Sequence, residues 1–189
     1  RAAERMQKIE GRDAELERLV KEIENVRSHM NRAGEALHKL RIKAAPKLSE
    51  NIRRNLHDLG FRQSEFEAKL SALDEPRASG FDALELLFSP NPGEPLKPLR
   101  AIASSGEISR LMLAIKSALA AHDAIPLLVF DEIDSNVGGE IAHAVGAKML
   151  TLGHDHQLIC ITHLPQVAAI ASSHFVVTKD ISRGRTFSS

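Results

Sequence analysis

Residues 9 to 44 carry an apolar repeat with a period of seven. Ile9, Leu16, Ile23, Met30, Leu37 and Ala44 share one position of it, and Leu19, Val26, Ala33 and Leu40 lie three residues beyond the middle members. A seam of this kind, kept over about five heptads, is the pattern of a left-handed coiled coil. At ~1.5 Å per residue such a helix reaches on the order of 54 Å. Between the seam positions stand Glu15, Glu17, Arg18, Lys21, Glu22, Glu24 and Arg27, mixed in sign as on a solvated face. Gly11 and Gly34 are expected to weaken the helix, each by about 1 kcal/mol relative to Ala. One strand of a coiled coil needs a partner, either another chain or an antiparallel segment of the same polypeptide. The same periodicity also suits a long amphipathic helix packed on a globular domain. Arg1 already sits inside the helical pattern, so the chain is expected to be a piece of something longer.

The organisation expected is an arm at 1–45 followed by an α/β part at 46–189. Pro46 should interrupt the helix, and a shorter one from about Leu48 to Leu59 should stop at Gly60. "SEFEAKL" and "FDALELLF" read as an antiparallel pair of strands. "SPNPGEPLKP", Ser89 to Pro98, is a loop. Beyond it the pattern predicts a helix from about Ser105 to Ala121, a strand at Leu127 to Phe130 and a helix from about Gly139 to Leu152. A strand at Gln157 to Thr162, a short helix after Pro165 and a strand at His174 to Thr178 follow. Aromatic residues are 4% of the chain, with no Trp or Tyr, so aliphatic side chains must fill the core. The runs Leu127 to Phe130 and Leu158 to Ile161 are continuously apolar, as parallel strands covered on both faces tend to be. In such sheets ligands meet the carboxyl ends of the strands.

Charge excludes some functions. With 25 basic and 25 acidic residues there is no overall basic field to draw in nucleic acid or a membrane surface. Arg53, Arg54, Arg62, Arg100 and Arg110 are basic and expected on the surface, where ordinary surface charge explains them as well as nucleic-acid contact does. The single cysteine, Cys160, allows no internal disulfide, fits a reducing compartment, and reads as a small core residue in mid-strand. No apolar stretch approaches the ~20 residues of a membrane span.

The stretch "IPLLVFDEIDSNVGG" ends an apolar strand on Asp131 and Glu132, with Asp134, Gly138 and Gly139 close behind. Burying a charge without a partner is expensive, so a cation or a proton donor is expected to meet these acids. Four apolar residues followed by Asp-Glu form the Walker B pattern of nucleotide hydrolases. There Asp131 would hold Mg²⁺, which keeps several waters and takes one or two carboxylates. Glu132 would polarise the attacking water. Strands also end in acidic pairs for structural reasons alone. In "IASSGEISRLMLAIKSALA", Ser104, Ser105, Gly106 and Glu107 stand at a helix mouth, where Ser104 or Ser105 can act as the cap. Free N–H groups there make an anion site. The same residues also suit an ordinary capping box above a core face of Leu111, Leu113, Ile115 and Leu119. "LICITH" places His163 at a strand's carboxyl end, as a phosphate-sensing donor or as a structural residue. "HDH", His154 to His156, suits a solvated turn better than a zinc site, because further ligands do not recur at metal-site spacing.

Taken in order, these segments resemble the second half of an ABC-type ATPase head. "SSGEISRLMLAIK" resembles its signature motif, "LLVFDEID" its Walker B, Asp134 its D-loop and His163 its switch histidine. Heads of this type joined to coiled coils form the SMC-like group of chromosome and DNA-repair proteins, and the resemblance runs over roughly residues 50 to 180. Two departures stand out. No G-x-x-x-x-G-K-[ST] loop occurs, and Ser105 occupies a position where a second glycine is usual. A Cβ there crowds the approach of a phosphate to the backbone.

The resemblance implies the C-terminal half of a P-loop NTPase head, an α/β fold, carrying an N-terminal coiled-coil helix. It implies ATP hydrolysis with ATP and Mg²⁺: Glu132 and His163 catalytic, Asp131 on the metal, and Ser104, Ser105, Gly106, Glu107 and Asp134 on the nucleotide. Asp134 would face across a dimer interface. The partners implied are DNA, the N-terminal P-loop half of the same protein, and a second copy through ATP-engaged heads. The setting implied is double-strand break repair and recombination at the nucleoid in the bacterial cytoplasm, with no membrane. Without a P-loop this chain by itself should hydrolyse ATP poorly or not at all. Two rivals remain: a non-enzymatic coiled-coil scaffold with structural acids, and a transporter-type ABC subunit. The heptad arm speaks against the latter, whose heads carry a short helical domain in that place.

Overall fold

The computed structural model describes residues 2–182 and 185–188, with side chains described at 11–13 and 15–178. The described residues fall in two compact units, one within 1–47 and 68–85, the other within 48–67 and 86–189.

Helix α1 (Ala2–Asp58) supplies the arm of the first unit. Its seam is uncovered: Leu16, Ile23, Val26 and Leu40 are each 60% exposed or more. The side chain of Ile9 lies outside the described residues. Arg18 pairs with Glu15 at 2.7 Å along the solvated face, the spacing at which helix side chains meet. Strands β1 (Glu65–Arg77) and β2 (Gly80–Ser89) are neighbours in a sheet. A link as short as Ala78–Ser79 can join only antiparallel strands, as the pattern predicted. Gly34 turns out to be a packing device and no mere weak point of the seam. A Cβ at Gly34 would run into the Phe81 ring, so its absence is what lets β2 lie against α1.

One buried carboxylate fastens that contact. Asp82 receives His38 Nδ1 at 2.5 Å and Arg41 Nη1 at 3.2 Å, while Arg41 Nη2 donates to the Ser79 carbonyl at 2.8 Å. Burial pushes the Asp82 carboxyl up, but the hydrogen bonds and charges of His38 and Arg41 pull it net below its ordinary value.

In the second unit the last turns of α1 present Ile52, Leu56 and Leu59 to the core. Pro46 was expected to break the helix and does not. Proline removes one backbone hydrogen bond, and the burial of the following turns outweighs that loss. A short strand β3 (Lys97–Pro98) adds to β2, with Leu87 opposite Pro98. Then come α2 (Ser105–Leu119), β4 (Leu127–Phe130), α3 (Gly139–Leu152), β5 (Gln157–Cys160) and α4 (Pro165–Ala168). β4 and β5 are parallel, with Leu127 opposite Gln157 and Phe130 opposite Cys160. Helices α2 and α3 contribute Leu111, Leu113, Ile115, Val145, Met149 and Leu152 to the core beneath Leu128 and Phe130. His156 departs from the solvated turn expected of "HDH": it is buried, with Nδ1 2.7 Å from the Ile125 carbonyl.

Two further expectations fail. β4 and β5 are covered on one face only: Leu128 and Phe130 are buried, whereas Val129 is 59% and Ile161 57% exposed. The buried side is the one toward the core residues of α2 and α3. His174 to Thr178 forms no strand, and Phe175 is 95% exposed. That run has strand-forming side chains, yet among the described residues it is part of no sheet. The ladder begins only at β6 (Lys179–Ser182), antiparallel to β7 (Arg185–Ser188), a hairpin the pattern did not suggest.

The Asp82 cluster sets a pH dependence. A folded-state carboxyl held below its unfolded value stabilises at pH above the unfolded value, about 3.9 for Asp, and ceases to as pH falls through the folded one. Asp82→Asn is therefore expected to destabilise the arm unit at neutral pH and to have a shrinking effect below pH 4. Urea unfolding followed by circular dichroism across pH 3 to 7 checks both.

Candidate functional site

The site is built where α2, the end of β4 and the end of β5 meet. Ser104 caps α2, its Oγ accepting from the Glu107 N–H at 3.4 Å. Ser104 and Ser105 are exposed and Glu107 is half-buried, whereas Gly106 is buried. A Cβ on Gly106 would stand 2.8 Å from Ser135 Cβ, 3.1 Å from the Ser135 carbonyl oxygen and 3.3 Å from that of Glu132. Helix mouth and strand-end loop thus touch backbone to backbone. Two side chains of α2 stitch the contact: Ser109 Oγ donates to the Asp131 carbonyl at 2.7 Å, and Arg110 Nη1 to the Ser135 carbonyl at 2.9 Å. Arg110 also lies over the Phe61 ring at 5.3 Å. It is buried, so it leaves the set of surface basic residues to which the sequence assigned it. Burial pulls its pKa down, with Glu107 partly opposing.

At the end of β4, exposure alternates sharply. Asp131 and Glu132 are exposed, Ile133 and Asp134 buried. Asp131 and Glu132 are thus open to solvent, and of the three acids it is Asp134 that is buried and meets proton donors. Glu132 has φ +54° and Asn136 φ +58°. A left-handed backbone costs a side-chain-bearing residue roughly 1–2 kcal/mol, and strain of this kind gathers at functional positions. Ser135 N–H closes the turn on the Glu132 carbonyl at 3.1 Å.

The end of β5 is tied to the same loop. Asp134 Oδ2 accepts from Thr162 Oγ1, from the His163 N–H at 2.9 Å and from the Leu164 N–H at 3.3 Å. His163 Nδ1 stands 3.2 Å from the same oxygen, and its side chain is 74% exposed. Desolvation pushes the Asp134 carboxyl up, yet the Thr162 hydroxyl, the His163 N–H and the His163 ring hold it below its usual value. Asp134, which the resemblance would set across a dimer interface, is 2% exposed in this chain. Cys160 beside it is half-buried, and burial with the charges of Asp134 and Asp131 pushes its thiol up to about 11, which makes it inert.

Asp131, Glu132, His163, Ser104 and Ser105 thus open outward at or beside the strand ends, while Gly106 and Asp134 hold the elements together. The stitching roles of Ser109, Arg110 and Thr162 were not foreseen. The first two follow Gly106 by three and four residues, the spacing that puts them on its face of the helix. Among the described residues no group of three or more His, Cys, Asp and Glu side chains gathers. Nor, among them, is any helix long and apolar enough to cross a membrane.

This architecture has the fold of the second half of an ABC-type head, with a long N-terminal helix. An Smc head domain with a coiled coil and joint, from Pyrococcus yayanosii, is similar over 92% of this chain and 32% of that one, with a TM-score of 0.61 at 20% identity. An Smc head domain from Pyrococcus furiosus, with an extended coiled coil and bound to the C-terminal domain of ScpA, covers 84% of this chain and 38% of that one. Its TM-score is 0.56 at 19% identity. At such identities the likeness is one of fold. In sequence, the chain is similar to DNA repair protein RecN along nearly its whole length, as a C-terminal piece of such a protein would be. The Xylella fastidiosa (strain Temecula1) protein is 39% identical over 181 residues, 95% of this chain and 32% of that protein. The Bacillus subtilis (strain 168) protein is 35% identical over 198, covering 97% and 34%. The Deinococcus radiodurans protein is 37% identical over 187, covering 99% and 33%. The chain spans about a third of the length of these curated relatives. No family model matches it.

The glycine that this fold needs is Gly106 and not its neighbour. Gly106→Ala is expected to cost about 1–3 kcal/mol through overpacking against the Glu132–Ser135 backbone. Ser105→Gly should change stability by less than about 1 kcal/mol. Chemical denaturation of the two variants side by side measures the difference.

Proposed function

We propose that this chain is the C-terminal lobe of an SMC-like ATPase head acting in DNA double-strand break repair and recombination, with ATP-driven head dimerisation coupled to DNA binding. One observation carries the reading: three segments far apart in sequence are stitched together, and their outward groups all lie around the carboxyl ends of β4 and β5. The fit to nucleotide rests on those groups. Asp131 is exposed at the strand end, where a single carboxylate suits Mg²⁺. The ion, when bound, offsets phosphate charge. Glu132, exposed and held in a strained conformation, orients and polarises the attacking water. His163 offers a ring nitrogen to the same space. Ser104, Ser105 and the free N–H groups of α2 present an anion site with the helix dipole behind it. Glu107 stands in that turn with its N–H on the Ser104 cap, and Asp134 serves from beneath.

The uncovered face of Leu127, Val129, Ile159 and Ile161 supports a further layer, since parallel strands are usually covered on both sides. A P-loop half of the same protein laid there completes the nucleotide site. The signature turn of a second copy then closes it, and the arm transmits the movement to DNA. Hydrolysis removes the γ-phosphate contacts and lets the heads part.

In the full-length protein, Glu132→Gln is expected to lower ATP turnover at least about a hundredfold while ATP-bound dimers persist, as seen by light scattering. Normal turnover would remove Glu132 from the role of base. If ATP with Mg²⁺ produces no dimer in the unaltered protein, the scaffold reading takes its place.

A further inference from the structure

The buried acid beneath the histidine meets it twice. Asp134 Oδ2 accepts the His163 backbone N–H at 2.9 Å and stands 3.2 Å from His163 Nδ1. The Thr162 hydroxyl and the Leu164 N–H close on the same oxygen, so residues on both sides of His163 are fastened to one carboxylate. A neutral imidazole carries its proton on one nitrogen and a lone pair on the other, and its neighbours decide which. A bare Nδ1 lone pair set 3.2 Å from a carboxylate oxygen would be repelled by it. A proton on Nδ1 is attracted.

We infer that Asp134 is a positioning residue for His163: it pins the 162–164 loop and holds the ring with its proton on Nδ1, leaving Nε2 bare toward solvent. The ring is 74% exposed, so Nε2 is free to meet a ligand. In this tautomer the neutral ring accepts at Nε2 and does not donate. It takes a proton from a bound water, or meets an anion only once it is itself protonated. Exchange of a hydrogen-bonded carboxylate for an amide would release this preference. The use of Nε2 in ATP chemistry rests on the function proposed above; the tautomer does not.

The test is ¹⁵N NMR of His163 in the 189-residue chain at pH 8 without nucleotide, assigned by comparison with His163→Gln. The strongly deshielded signal of an unprotonated nitrogen is expected at Nε2 in the unaltered chain. In Asp134→Asn it is expected to move to Nδ1 as the dominant form. Deshielding at Nδ1 in the unaltered chain overturns the inference, even if the variant fails to fold. So does an unchanged pattern in a folded Asp134→Asn chain. In the full-length protein, Asp134→Asn should lower turnover tenfold or more while binding of a fluorescent ATP analogue stays within twofold. Unchanged turnover would overturn the functional half. Failure of the full-length protein to bind the analogue at all would sink the ATPase reading and leave the tautomer result standing.

Discussion

The contact that positions everything at the strand ends is the one between Gly106 and the backbone of Glu132 to Ser135. Only a residue without a side chain allows α2 to approach so closely, since a Cβ would fall 3.1 Å from one carbonyl oxygen and 3.3 Å from another. Once there, Ser109 and Arg110 reach carbonyls of the strand-end segment with short, direct hydrogen bonds. The spacing between a helix N-terminus and a pair of carboxylates is therefore set by backbone packing, which tolerates little drift. An anion and a cation bound side by side need that constancy, because electrostatic stabilisation falls off when the charges it serves can move apart.

Asp134 does for β5 what Gly106 does for α2. The four residues from Asp131 to Asp134 separate two kinds of acid by exposure alone. Asp131 and Glu132 keep their solvent, while Asp134 exchanges it for a hydroxyl and two backbone N–H groups. Burying a carboxylate is tolerable only with such donors. This one has them, and its pKa lies below the usual value in spite of burial. The cluster as a whole is an open rim on a stitched base.

Much of this was legible in the residues, because the relevant signals are local. The bounds of β4 and α3 follow from an apolar run closed by acids and from a glycine pair before a helical period. The outward position of Asp131, Glu132 and His163 follows from strand ends. What failed were statements that depend on distant chain. Pro46 looked like a break because periodicity does not reveal that Ile52 and Leu56 will be fully buried. Gly34 looked like a defect because Phe81 is far along the sequence. His174 to Thr178 has the composition of a strand, but composition cannot supply the neighbouring strand that a ladder requires. The place of Asp134 across a dimer interface came from the resemblance alone, since no local rule tells an acid that caps a loop from one that faces a ligand.

The open face of the parallel pair and the strain at Glu132 belong to one energetic account. Leu127, Val129, Ile159 and Ile161 are each more than two-fifths exposed. Fully burying an aliphatic side chain gains about 1.5–3 kcal/mol. The left-handed backbone at Glu132 costs roughly 1–2 kcal/mol. Covering even part of that face therefore releases more than the strain consumes. A second layer over β4 and β5 would fix the strand that carries Glu132 as well as complete the sheet. The left-handed conformation at Glu132, two residues beyond β4, would then be sustained by apolar contact along the strand that precedes it.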